Sequence, residues 1–208
     1  MGKSIYSMVL TDEVINAVDR LAIKEGKSRS QMVDQILAER VGFNTVSKRI
    51  DQIVLLSNLC LKEHARLRVE KNQQSVIEFL SAIEYKYSPR VKYSVELFPD
   101  GREIGVLKIA LRTTNRVLLD LIGRFFNLFI QIEQKYNPSI EYFIENGKLS
   151  RKLDFAGIDS LERLAKCLTD YVSAIDKLMN LYIANYSSGI ENKLVEANYL
   201  AIFGKPMF

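Results

Sequence analysis

Apolar positions at the start of the chain change period within a few residues. Ser4–Leu10 holds five apolar residues, several of them β-branched or aromatic, without Gly or Pro, and reads as a strand. Thr11-Asp12-Glu13 stops the run. The Thr11 hydroxyl is a good acceptor for a free N–H of a following helix, and Asp12 and Glu13 place negative charge at its positive end. Val14, Val18, Leu21 and Ala22 then recur at helical spacing, and Gly26 closes that helix. Ser28 and Gln31 have the spacing of a capping box. A second helical stripe follows at Met32, Val33, Ile36, Leu37 and Val41, and Gly42 ends it.

The rest of the chain reads as mostly helical. Asn44 is placed to cap a helix through Val46, Ile50, Ile53, Val54, Leu56, Leu59 and Leu61. The pattern continues through Leu67, Val69, Val76, Ile77, Leu80 and Ile83 until Pro89 stops it. It predicts one long helix, or two broken near Lys71-Asn72-Gln73-Gln74. Tyr93–Phe98 and Ile104–Leu111 read as strands around the Pro99-Asp100-Gly101-Arg102 turn. A bare hairpin is marginal, so this one has to pack on helices or pair with another hairpin. Thr113 or Thr114 is the expected cap of a helix reaching Tyr136, whose apolar residues cover most of its circumference and make it the expected centre of the second domain. Asn137-Pro138 ends it, a short helix is expected from Ser139 to about Asn146, and Gly147 closes that. Asp159 is the expected cap of a helix with its stripe from Leu161 to Tyr182, and after Ser187-Ser188-Gly189 a last helix runs from about Glu191 to Phe203. The expected class is mainly α: an N-terminal β-α-α unit over residues 1–43, then a larger helical domain over 44–208 with one β-hairpin at about 92–111.

A lone strand cannot satisfy its own backbone, and two short helices cannot enclose a core for it. A second copy of the chain solves both problems, with two strands pairing antiparallel about a two-fold axis. The order strand, Leu10-Thr11-Asp12-Glu13, helix, Glu25-Gly26-Lys27-Ser28-Arg29-Ser30-Gln31, helix resembles the ribbon-helix-helix superfamily of dimeric DNA-binding proteins, over roughly the first 43 residues. A plain β-α-α start of an α+β domain is the alternative.

The resemblance implies a ribbon that enters the major groove of double-stranded DNA. Leu10, Met8 and Tyr6 then face the core, and Lys3, Ile5, Ser7 and Val9 face the bases. The sequence departs from the family here, because Ile5 and Val9 touch thymine methyls but form no bidentate hydrogen bonds. Their apolar character equally suits a face covered by protein. The resemblance also places Lys27, Ser28, Arg29 and Ser30, at the start of the second helix, against a phosphate; Ser28 capping its own helix is compatible with that. It implies a homodimer or higher homo-oligomer acting as a transcriptional repressor or regulator, or as a plasmid relaxosome or partition accessory protein; the domain over 44–208 is then expected to set the oligomeric state or to engage another protein. A protein-assembly module whose start only dimerises is the alternative of another class.

Composition narrows this little. The 208 residues carry a net charge of +4 and are 48% hydrophobic, which permits nucleic-acid binding without demanding it. Lys62, Arg66, Arg68 and Lys71, with His64 nearby, form a possible backbone-contacting patch or a solvated helix face interleaved with Glu63 and Glu70. Cys60 and Cys167 suit reduced thiols in a cytoplasm. The start reads as neither a signal peptide nor a myristoylation site, since position six is Tyr6, and the apolar run of the 113–136 helix is interrupted by Asp120 and Arg124, so no membrane association is expected. A single histidine leaves no basis for expecting a metal. No phosphate loop, dinucleotide fingerprint or nucleophile elbow is present, so neither catalysis nor a cofactor is expected. Phe125, Phe126, Phe129, Tyr136, Tyr142 and Phe143 read as packing, with a ligand pocket as the alternative.

Overall fold

The computed structural model describes residues 7–41, 46–61, 66–73, 75–97, 104–154 and 157–204. Lys3–Tyr6, Gly42, Asn44, Lys62, His64 and the Pro99–Arg102 turn lie outside the described residues. The chain divides into two compact units, Met1–Arg49 and Ile50–Phe208.

The first unit holds α1 (Asp12–Lys24) and α2 (Arg29–Arg40); α3 (Val46–Cys60) begins in it and ends in the second. Gly26 has φ +63° in the connection between α1 and α2, a conformation that side chains disfavour. Ser28 caps α2 reciprocally: Gln31 N–H donates to its hydroxyl at 3.3 Å, and Ser28 N–H donates to the Gln31 side chain at 2.9 Å. Thr11 sits at the cap of α1 in extended conformation but makes no side-chain capping bond there. Val18, Ala22 and Met32 form the small core, with Val33 packed against it.

The second unit overturns the expectation of a mainly α domain with one hairpin. It is built on a six-stranded antiparallel sheet in the order β1-β2-β3-β4-β6-β5. The strands are β1 (Arg68–Gln73), β2 (Val76–Ala82), β3 (Arg90–Leu97), β4 (Ile104–Arg112), β5 (Tyr142–Glu145) and β6 (Lys148–Asp154). With the six helices, the described residues make an α/β fold. The expected hairpin is the central pair, β3 against β4. The long helix expected through Ile83 ends at Cys60, and β1 and β2 occupy the remainder. The reason is period: Ile77, Phe79, Ser81 and Ile83 are buried at every second position, as in a pleated strand, and Glu78 between them is held by Asn72, Lys92 and Ser94. The short helix expected from Ser139 is strand β5 instead. Asn146 (φ 51°) and Gly147 (φ 73°) form a two-residue turn between Glu145 and its partner Lys148, because an Asn-Gly pair supplies the two left-handed residues that a tight hairpin requires.

One face of the sheet is apolar, with Ile77, Phe79, Val91, Tyr93, Val95, Leu107, Ile109, Leu149 and Leu153 buried. Lys92, Lys108 and Lys152 alternate onto the other face and are exposed. Lys92 pairs there with Glu78 at 2.9 Å, and Lys108 with Glu96 at 3.0 Å. The remaining helices are α4 (Arg116–Tyr136), α5 (Leu161–Asn185) and α6 (Glu191–Phe203). Their caps differ from expectation: Asn115 accepts from Leu118 N–H at 3.2 Å and Ser160 from Arg163 N–H at 3.2 Å. Helix α5, with fourteen buried residues against eight in α4, is the more enclosed; the apolar residues Val117 and Leu119 of α4 are exposed. Among the described residues, no helix is long and apolar enough to cross a membrane.

Candidate nucleic-acid interface

The strand expected over Ser4–Leu10 is not formed at its described residues 7–10, which with Thr11 are neither helix nor strand and are all exposed, with no strand partner beside them among the described residues. Val9 is fully exposed and Met8 is 53% exposed. Leu10, which alternation assigns inward with Met8, is also exposed, as are Val14 and Leu21 of α1 and Ile36, Leu37 and Val41 of α2. Each helix of the first unit thus buries only part of its apolar stripe.

At the start of α2, the cations are already engaged. Arg29 donates from Nε and Nη2 to the two Asp19 carboxylate oxygens, at 2.7 and 2.6 Å. This bidentate bond holds the Asp19 carboxyl below its ordinary value and the Arg29 guanidinium above it. Lys27 donates to Glu25 and Gln35, both at 2.5 Å. Both pairs are partly exposed, so each contributes little to stability and exchanges readily with another anion. Ser28 and Ser30 are exposed beside them. The structure therefore brings together Lys27, Ser28, Arg29 and Ser30, and it describes Ser7 and Val9. Lys3 and Ile5 lie outside the described residues.

The second basic group does not form one helical patch. Arg66 sits in a turn and pairs with Glu84. Arg68 and Lys71 lie on β1, where their odd separation sends them to opposite faces. Lys71 pairs with Asp51 at 2.7 Å.

Sequence reasoning missed a buried polar network in the second unit. Glu133 of α4 and Arg151 of β6 are 0% and 1% exposed. Arg151 Nε donates to Glu133 Oε2 at 2.7 Å, and Tyr142 of β5 donates to the same oxygen. Glu133 Oε1 accepts from Tyr171 of α5 at 2.8 Å and from Tyr199 of α6 at 3.3 Å. The Arg151 guanidinium lies over the Tyr171 ring, 4.8 Å from its centroid, a cation–π contact. Burial and the Glu133 charge push the Tyr142, Tyr171 and Tyr199 hydroxyls up, so they remain donors. A second buried polar contact joins β3 to α5: Tyr93 donates to Asp176 at 2.8 Å, and burial pushes the Asp176 carboxyl up. The only sequence signal for these groups was a charge within an otherwise apolar stripe, at Glu133 and Asp176. The paired, enclosed geometry of Glu133 and Arg151 is that of a structural clamp on five elements rather than a site open to substrate.

The aromatic residues proposed as packing or pocket separate. Phe125, Phe126 and Phe129 are buried, with Phe125 and Phe129 stacked at 5.9 Å, whereas Phe143 is exposed. Cys60 and Cys167 are free thiols. Among the described residues, no group of three or more His, Cys, Asp or Glu side chains is placed to hold a metal ion. In comparisons with known proteins, the chain matches no family model, no curated protein and no solved structure.

Proposed function

We propose that the Met1–Arg49 unit is the DNA-binding half of a two-fold dimer of the ribbon-helix-helix kind, and that the protein acts in transcriptional regulation. The observation that carries this reading is the set of exposed apolar residues Met8, Leu10, Val14, Leu21, Ile36 and Leu37 around a core of Val18, Ala22 and Met32. So small a core does not stabilise a segment of this length alone, and a second copy supplies the missing cover. The segment before α1 then gains a strand partner, and Ser7 and Val9 form part of the face turned to the groove. Arg29 exchanges the Asp19 carboxylate for a phosphate oxygen, with Ser28 and Ser30 beside it. A relaxosome or partition role uses the same reader. The assembly reading draws on the full exposure of apolar Val9 and on the engagement of Arg29 by Asp19.

A gel-shift titration with duplex DNA tests the reading at two salt concentrations, about 50 and 200 mM. Affinity is expected to fall steeply with salt. Arg29→Ala is expected to weaken binding about tenfold and to reduce the salt slope by about 1; Ser7→Ala is expected to weaken it while leaving the slope unchanged. No binding at the lower salt supports the assembly reading instead.

A further inference from the structure

The two edges of the sheet are treated differently. At β1 the edge is covered and charged: Asn58 of α3 donates to the Val69 carbonyl at 3.3 Å, Lys71 pairs with Asp51, and the register shifts between Lys71 and Gln73. These are common ways of blunting a sheet edge. At β5 the outer strand reads Tyr142-Phe143-Ile144-Glu145, with Phe143 64% and Ile144 47% exposed.

The free backbone groups of β5 follow from its register. Lys152 N–H donates to the Glu141 carbonyl, and Tyr142 pairs with Arg151, Phe143 with Ser150, Ile144 with Leu149 and Glu145 with Lys148. Bonded and non-bonded pairs alternate in an antiparallel ladder. Glu141, Phe143 and Glu145 therefore bond inward to β6, while the N–H and C=O of Tyr142 and Ile144 point away from the sheet. Glu141, Phe143 and Glu145 share one face. Glu145 is exposed, and Glu141 remains 55% exposed although it pairs with Lys152 at 3.1 Å.

These charges select the occupant. If a second copy paired β5 with β5 so that Tyr142 and Ile144 exchanged backbone bonds, Glu141 would face Glu145 of the copy, and like charges directly opposite repel. A strand bearing cations at the two flanking positions is complementary. We propose that β5 is a docking edge for an extended segment of a partner protein that carries an apolar residue opposite Phe143, with Lys or Arg two residues to either side. Such a strand adds to the sheet by main-chain hydrogen bonds and takes its selectivity from the alternate side chains.

The test uses the full chain and a fluorescein-labelled peptide, TKTITKT, followed by anisotropy. Saturable binding is expected. It is expected to be lost in Ile144→Pro, which removes an outward N–H not used by β6 and so spares the existing ladder. It is expected to weaken at least about tenfold in Glu145→Lys, an exposed hairpin position whose change leaves the fold intact. The charge-reversed peptide TETITET is expected to bind Glu145→Lys better than it binds the native chain. Absence of binding by the native chain, or equal binding by Glu145→Lys, overturns the proposal. So does an Ile144→Pro chain that loses half its solution mass while the native chain ignores the peptide, because the edge then belongs to a second copy.

Discussion

Arg151→Ala is expected to lower the free energy of unfolding by about 3–5 kcal/mol. The change leaves the Glu133 carboxylate, 0% exposed, without its cation. Tyr142, Tyr171 and Tyr199 still donate to it, but hydrogen bonds from neutral donors do not neutralise a buried charge. Glu133→Gln is expected to act in the same direction by stranding Arg151. The double change to Glu133→Leu and Arg151→Met is expected to cost less than either single change, because no uncompensated charge remains. Urea unfolding followed by circular dichroism checks this, with the midpoint falling and the slope unchanged. A loss below about 1 kcal/mol in Arg151→Ala would show that water reaches the pair.

Leu21→Asp is expected to have the second large effect, on assembly rather than on the fold of one chain. Leu21 lies on α1 and is 43% exposed in the single chain, so an aspartate there remains hydrated and costs the unit little. In the proposed dimer the same position is expected to be covered, and an unpaired carboxylate there is expected to cost about 4 kcal/mol or more. That corresponds to a weakening of self-association by about a thousandfold, and DNA affinity is expected to fall with it because each half-site is then bound singly. Light scattering of the full chain at micromolar concentration checks this. Unchanged mass in Leu21→Asp would place the contact elsewhere.

The local signals that were legible in the sequence carry their own chemistry. Gly26 and the Ser28–Gln31 capping box punctuate α1 and α2 as their residue types require, and the two apolar runs expected to pair are β3 and β4. What was misread had two valid periods. Val76, Ile77, Leu80 and Ile83 satisfy a helical template, while Ile77, Phe79, Ser81 and Ile83 satisfy a strand; burial follows the second. Ser81 hid the alternation because a polar residue occupies an inward position. The Asn146-Gly147 pair fits both a helix end and a tight hairpin, and the pairing of Glu145 with Lys148 selects the hairpin. The buried network was not legible in the same way, because its members lie on five different elements and only the packing of α4, α5 and α6 on β5 and β6 makes Glu133 and Arg151 partners. At the proposed DNA interface the two helices and the turn between them were legible, but residues 7–10 do not form the expected strand, and the bond between Arg29 and Asp19 joins residues ten apart and depends on how α1 and α2 cross.

In the proposed dimer the segment before α1 finds its strand partner in another molecule. A seven-residue strand from position 4 to position 10 that pairs fully with its own copy centres on Ser7, where cross-strand Cα atoms lie within about 5.5 Å, inside the reach of a disulfide. Ser7→Cys, in a chain whose Cys60 and Cys167 are replaced by serine, is therefore the most direct measurement. Rapid, near-complete cross-linking into covalent pairs is expected under mild oxidation, accelerated by duplex DNA and lost in Leu21→Asp. A chain that stays uncross-linked at every concentration, with or without DNA, contradicts the proposed dimer.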